Sequence, residues 1–267
     1  MEYSTESVLN MERFKPDQYP SLKALWILEA VARRGTYMGI NEICEETGIS
    51  QGTVHRILNE MVQAGYIEKN NQYRKYRVGM NASIMASYFM QSNSVVAFAR
   101  DEMLRLNQMT GETIHLLALS GNDVIYLNKI NTVHTIGLMS YIGKTNPIHC
   151  TAGGKCIMAF MQEDKVNKYL AESQRERYTE TTLCTEEALR KEFESIRRLG
   201  YALDRGEHHA NVTCIAAPVF DIKGLPVASI SISAPTYRFP LEAAESSAPE
   251  LMKSCKIVTE RLNSTPS

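Results

Sequence analysis

Seven consecutive residues, Ser50-Gln51-Gly52-Thr53-Val54-His55-Arg56, place an amide, two hydroxyls, an imidazole and a guanidinium around one bulky apolar side chain. These are the groups that hydrogen-bond to base edges and phosphate oxygens. Ser50 is a helix-capping residue just past the turn residue Gly48, so a helix starts there. Val54, Ile57, Leu58 and Met61 follow at i, i+3, i+4 and i+7 and form its buried stripe. Gln51, Gly52, Thr53, His55, Arg56 and Asn59 are left toward solvent or a ligand, a helix fit to enter a DNA groove. Two other sets of residues could do different chemistry. His208, His209 and Cys214 with His149 or Cys150 have the donor types of a zinc or copper sensor, although their spacing matches no ligand motif and no CxxC pair occurs. Cys214 with His208 or His209 as base and Asp204 as orienter has the parts of a thiol nucleophile, but nothing visible activates the thiol.

The elements that must hold the DNA-reading helix are legible on both sides. Leu25, Leu28, Val31 and Ala32 repeat at helical spacing, and Ile40, Ile43 and Cys44 begin a second short helix that ends at Gly48. Two helices joined by a short glycine turn make a helix-turn-helix. After Gly65, residues 66–69 and 72–78 read as two strands around Asn70-Asn71, a basic hairpin or wing. Its Arg74, Lys75 and Arg77 can straddle a phosphate backbone. A charged edge strand that avoids sheet pairing has the same composition, but a position directly after a helix-turn-helix favours the wing.

Bulk charge does not reveal this. The chain has 29 Lys+Arg against 30 Asp+Glu, so it is no nonspecific polycation. Residues 50–80 carry Arg56, Lys69, Arg74, Lys75 and Arg77 against Glu60 and Glu68, whereas Glu42, Glu45 and Glu46 make the preceding helix acidic. DNA contact is therefore expected on one face, in two copies. At 267 residues with 44% hydrophobic content, two domains with real cores are expected. Residues 1–19 are polar and expected to be mobile, with no signal peptide, and no stretch reaches membrane-spanning length. Six cysteines without a paired framework fit reduced thiols in a cytoplasm.

Asn81 is expected to cap a linker helix over 82–90 that is apolar around too much of its circumference to stand alone, and so to pack on a second subunit. A helix over 95–109 follows, with Val96, Ala99, Met103, Leu106 and Met109 as its core stripe. Beyond Glu112, strands are expected over 113–119, 124–130, 136–141, 201–204, 214–221 and 227–233. Residues 143–147 read as a loop. Helices are expected from Thr151, over 186–199, and over 242–262. The class is α+β with an antiparallel sheet.

The ordered series Ser21-Leu22-Lys23-Ala24-Leu25, the helix 50–56, Gly65-Tyr66-Ile67, Tyr76-Arg77-Val78-Gly79, Gly111-Glu112-Thr113, Ile142-Gly143, Pro147, residues 151–155, Gly200-Tyr201, Asp204, Cys214-Ile215-Ala216 and Ser231-Ile232-Ser233 resembles the IclR family of bacterial transcription regulators. Glu112-Thr113-Ile114-His115-Leu116 followed by Tyr126-Leu127-Asn128-Lys129-Ile130, with Tyr141-Ile142-Gly143 and Asn146-Pro147, is similar to the KdgR-like branch that senses 2-keto-3-deoxygluconate. Gly52 stands where a serine is common in the family, and Ala152-Gly153 replaces the more usual small pair.

The resemblance implies a winged helix-turn-helix over 20–80, a helical linker over 81–92, and a GAF-like effector-binding and oligomerisation domain over 93–267. It implies a dimer or dimer of dimers on double-stranded operator DNA, no catalytic activity and no cofactor. The effector implied is a small carboxylate or sugar acid, and the family's ligand contacts fall on Ala152, Gly153, Asp204, Cys214, Ser231 and Ser233. Physical reading agrees in part. The helix start after Pro147 offers free N–H groups and a positive dipole end to an anion, and Ser231 and Ser233, two apart on a strand, point the same way. Each residue also has a plainer role: Thr151 as an N-cap with Gly153-Gly154 allowing close packing, Asp204 as a turn anchor, Cys214 as a small buried hydrophobe. Asp204 ranks above Cys214 as a direct contact, because a thiol hydrogen-bonds poorly. His149, His208 and His209 could line the same mouth.

Overall fold

A computed structural model describes residues 19–264; the segment 1–18, which holds nearly all of the leading stretch expected to be mobile, lies outside the described residues. The chain divides into two compact units between Ser92 and Asn93.

The first unit opens on a 3₁₀ turn (Pro20–Leu22) and three helices, α1 (Lys23–Arg34), α2 (Ile40–Thr47) and α3 (Gln51–Gln63). A left-handed glycine ends each of the first two, Gly35 and Gly48, and the Glu42 carboxylate reaches back to the Gly39 N–H at 2.7 Å to cap α2. The expected stripe of α3 is buried: Val54, Ile57, Leu58 and Met61 meet Trp26, Ile27, Val31 and Ile43 in one core. On α1 the stripe is shifted from the expected one. Leu25 is exposed, and the flat indole of Trp26 takes the interior position instead. Three strands, β1 (Met38–Gly39), β2 (Ile67–Asn70) and β3 (Lys75–Val78), form a small antiparallel sheet in the order β1-β3-β2. The hairpin loop is wider than the expected Asn70-Asn71 turn. Asn70 pairs with Lys75, and Arg74 takes a left-handed φ of 49°. Asn70 Oδ1 accepts from the N–H groups of Gln72 and Tyr73, which closes the loop without a glycine. Helix α4 (Met80–Ser92) already includes Asn81, which is therefore not its cap. Asn81 Nδ2 instead donates to the Ala64 carbonyl at 2.7 Å and ties the helix to the end of α3.

The second unit is a six-stranded antiparallel sheet, in the order β6-β5-β4-β9-β8-β7, built from β4 (Thr113–Ser120), β5 (Asp123–Ile130), β6 (Thr145–Pro147), β7 (Ala202–Arg205), β8 (Val212–Phe220) and β9 (Pro226–Pro235). Alternation along β9 sends Ala228, Ile230 and Ile232 to one face, where α5 (Ser94–Thr110) and α9 (Leu241–Ser264) pack on each other and on the sheet. Ser229, Ser231 and Ser233 go to the other face, covered by α6 (Ala152–Ala159), with α8 (Glu186–Leu199) outside it. Four expectations are corrected here. Met109 is exposed, and the buried face of α5 ends with Leu106 and Asn107. Residues 136–141 form no strand, because the edge of β5 is taken by Thr145–Pro147, within the stretch expected to be a loop. The segment 136–142 leaves Ile136, Met139, Tyr141 and Ile142 exposed. Helix α7 (Glu163–Glu172), buried through Val166, Tyr169 and Leu170, had not been expected at all.

Candidate functional site

The first candidate surface is built on α3. Gln51, Gly52, His55, Arg56 and Asn59 are exposed, and Thr53 is half-buried. Ser50 Oγ donates to Thr53 Oγ1 at 3.0 Å, and Gln51 Nε2 donates to Asn41 Oδ1 at 3.2 Å, so Asn41 on α2 joins this polar end. Arg56 is held by Glu60 one turn on at 2.7 Å. An exposed pair of this type is worth only about 0.3–0.5 kcal/mol, little hindrance to exchange for a phosphate. On β3 the Tyr76 side chain enters the core while Lys75 and Arg77 point to solvent. Arg77 pairs with Glu68 at 2.7 Å and lies over the Tyr37 ring. Arg74 is also exposed. The small residues Ser50, Gly52 and Thr53, with open space where a Cβ on Gly52 would stand, leave the start of α3 uncluttered.

The second lies on the α6 face of the large sheet and follows from strand register. Asp204 on β7 is opposite Cys214, Cys214 is opposite Ser233, and Ser233 is opposite Thr113. One row nearer the centre, Ala216 is opposite Ser231 and Ser231 is opposite His115. Directly opposed residues share a face, so Asp204, Cys214, Ser231, Ser233, Thr113 and His115 make one polar floor. Ser231 Oγ and Ser233 Oγ lie 3.5 Å apart. Cys214 lies between Asp204 and Ser233 in this row. Tyr126 extends the floor, stacked on His115 at 4.4 Å and accepting from Asn146 Nδ2 at 2.8 Å.

Helix α6 begins against this floor. Thr151 Oγ1 accepts from the Gly154 N–H, which leaves the Ala152 and Gly153 amides as the first-turn donors without an intrahelical acceptor. Gly153 rests on Leu117 and Ser229, with Ser229 donating to its carbonyl, and a Cβ on Gly154 would stand 2.7 Å from the Ile148 backbone. The glycines thus serve close packing, which brings the helix start beside the serine row.

Burial and the neighbouring Glu207 push the Asp204 carboxyl up to about 7, against a Glu207 N–H that Asp204 Oδ1 accepts at 2.7 Å. Behind it, fully buried Lys155 of α6 binds Glu207 and, at 3.2 Å, Glu192 of α8, which Arg205 also reaches. Thr179 and Thr182 hydroxyls donate to the Glu207 carbonyl and fix that turn. Lys155, Glu207, His115, Tyr126 and Asn146 were not singled out from sequence as site residues; the available signals were a lysine within an apolar helix start and the place of His115, Tyr126 and Asn146 in the segments similar to the KdgR-like branch. A cleft of about 460 Å³ lined by Asn93, Val95, Leu127, Ile222 and Leu262 contains none of these residues.

The metal and thiol alternatives gain no support. Among the described residues no three His, Cys, Asp or Glu side chains converge as a metal site. The His208 ring packs against His209 and Tyr178. Burial drives the Cys150 and Cys214 thiols well above the ordinary range, the opposite of an activated nucleophile.

Comparison with known proteins is consistent across both units. Residues 22–71 match the family described as IclR helix-turn-helix domain, and residues 87–259 match Bacterial transcriptional regulator IclR C-terminal. The chain is 34% identical over 229 residues to the HTH-type transcriptional regulator KdgR of Escherichia coli, covering 85% of this chain and 87% of that one. The crystal structure of the Thermotoga maritima IclR superposes with a TM-score of 0.77 at 26% identity, over 92% of this chain and 99% of the other. An IclR homolog from Microbacterium hydrocarbonoxydans, solved complexed with 4-hydroxybenzoate, has the same fold, with a TM-score of 0.81 at 23% identity over 91% and 98% of the two chains.

Proposed function

Since this chain belongs to the IclR family of bacterial transcriptional regulators, and so is a DNA-binding regulator and not an enzyme, we propose that it is a cytoplasmic repressor whose hold on its operator is set by a small hydroxylated carboxylate. The winged helix-turn-helix spans 20–80, the linker 81–92 and the effector domain 93–267. Ser50, Gln51, Gly52, Thr53, His55 and Arg56 face the groove, and Arg74, Lys75 and Arg77 hold phosphates. The effector sits on Ala152, Gly153, Asp204, Cys214, Ser231 and Ser233. Two copies assemble so that two recognition helices read a palindrome. Among the described residues no helix is long and apolar enough to cross a membrane.

The observation that carries the effector reading is the polar floor itself. Six side chains with hydrogen-bonding groups share one row or its neighbour on a single face of the sheet, beside a helix start whose Ala152 and Gly153 amides have no intrahelical acceptor. Burying such groups costs free energy unless something hydrogen-bonds to them. The amides and the helix dipole suit the carboxylate, and Asp204 with the serines suits hydroxyls. A sugar acid such as 2-keto-3-deoxygluconate has both; 4-hydroxybenzoate, held by a protein of the same fold, is likewise a hydroxylated carboxylate.

Calorimetric titration of the full chain with 2-keto-3-deoxygluconate and related acids, beside operator footprinting, tests this. Asp204→Ala with Ser231→Ala should remove effector binding and leave the footprint unchanged. Undiminished effector binding would put the site elsewhere.

A further inference from the structure

His115 stands at the centre of the polar floor with an atom the rest of the protein does not use. Its Nε2 is 2.7 Å from Ser140 Oγ, and its ring lies on Tyr126 at an interplanar angle of 26°. These two contacts fix the imidazole in direction and in plane. Its Nδ1 is buried and has no hydrogen-bond partner. Among the described residues only a handful of buried side-chain atoms share that condition, and two others belong to the second unit. Of those, Glu207 Oε2 belongs to a carboxylate already engaged by Lys155, and His149 Nδ1 belongs to a ring held by the Glu176 carbonyl beside Tyr178. His115 alone is the cross-strand neighbour of Ser231. The segment lying over it is fastened too, since Lys129 Nζ donates to the Ser140 and Leu138 carbonyls.

We propose that His115 is a further effector-binding residue, its Nδ1 hydrogen-bonding a hydroxyl or keto oxygen of the ligand, so that it sets the preference for hydroxylated over plain carboxylic acids. This rests on the effector-site reading above and adds to it a residue that reading does not include. An unpaired, immobilised, buried nitrogen is pre-organised for one partner and is penalised when the ligand has none to give. The ring supplies no charge: burial and the nearby Lys129 and Lys144 push it down to about 3, so it is neutral at every physiological pH. It therefore recognises a neutral oxygen and leaves the carboxylate to the start of α6.

The two ring nitrogens can be tested separately, because an asparagine amide reaches the Nδ1 position and a glutamine amide the Nε2 position. The full chain is titrated calorimetrically with 2-keto-3-deoxygluconate, gluconate, glyoxylate and butyrate, as wild type, His115→Asn, His115→Gln, His115→Leu and Asp204→Ala. His115→Asn should keep 2-keto-3-deoxygluconate affinity within about threefold. His115→Gln and His115→Leu should weaken it by about tenfold or more and leave butyrate unaffected. Rescue by Gln and not by Asn would overturn the proposal, since His115 would then act only by holding Ser140. Wild-type affinity in all three His115 variants, with binding lost in Asp204→Ala, would overturn it and leave the site reading standing. Wild-type affinity in Asp204→Ala, or no binding of any of the four acids to the wild type, would overturn both. Should the His115 variants not fold, ¹⁵N imidazole spectra of the wild type decide: the His115 Nδ1 resonance should move on saturation with 2-keto-3-deoxygluconate, and an unmoved resonance would reject the contact.

Discussion

Asp204 binds a proton more tightly in the folded protein than in the unfolded chain, because burial and Glu207 lift its carboxyl from 3.8 to about 7. Its contribution to stability is accordingly greatest below about pH 4 and is lost as the pH rises through 7. The same proton governs an anionic ligand, since a neutral Asp204 tolerates a carboxylate nearby and an ionised one repels it. His115 and His208, pushed down to about 3 and about 4, do not titrate in this range. Effector affinity is therefore expected to be about tenfold weaker at pH 8 than at pH 6. Asp204→Asn should flatten that dependence; a slope unchanged in the variant would assign it to another group. On the DNA side the residues divide by chemistry. Arg74→Ala and Lys75→Ala should weaken binding to all sequences alike and reduce its salt dependence, whereas Gln51→Ala should cost about 1–3 kcal/mol of discrimination at one base position. Fluorescence anisotropy across a salt series separates the two, and an unaltered salt slope after both wing substitutions would exclude them from the interface.

Between elements, three glycines do different work. Gly79 lies where a Cβ would stand 2.4 Å from the Gly65 carbonyl oxygen, at the crossing of the wing and the end of α3. Gly79→Ala must move backbone and should cost about 1–3 kcal/mol, read as a lower urea midpoint. Gly154→Ala meets the Ile148 backbone and should displace the start of α6; reduced effector affinity with an intact footprint is the expected result. Gly52 has open space around it and an ordinary helical backbone. Alanine there should stabilise the fold by about 0.4–1 kcal/mol through the unfolded chain, and a destabilised variant would show that the position is more constrained than its surroundings imply.

At the scale of the molecule, α4 presents Met80, Ile84, Met85 and Tyr88 to solvent within its own unit. Apolar area of that kind is the mark of an interface, and a palindromic operator needs two recognition helices about one DNA turn apart. A dimer is therefore expected at micromolar concentration by light scattering. Met85→Lys with Tyr88→Lys should shift it toward monomer and weaken operator binding together. Dimers that persist in that variant would move the interface to another surface.

What the sequence determined was local. The stripe of α3, the turn at Gly48 and the helix opened by Thr151 are set by spacings of four residues or fewer, where helical periodicity acts; the basic hairpin is legible too, although not the width of its loop. Errors arose where partners were distant. Residues 136–141 read as a strand, but Thr145–Pro147 takes the β5 edge, and Asn81 reads as a cap, but its amide meets Ala64, 17 residues back. Leu25 and Trp26 are adjacent, and only packing against α2 and α3 decided which was inside. The resemblance gives a list of expected effector contacts, yet nothing in their order places Asp204 beside Cys214, Ser233 and Thr113, or sets His115 opposite Ser231. That arrangement depends on the register of four strands drawn from separate parts of the chain, and register is fixed only when the hydrophobic faces of the whole sheet are buried together.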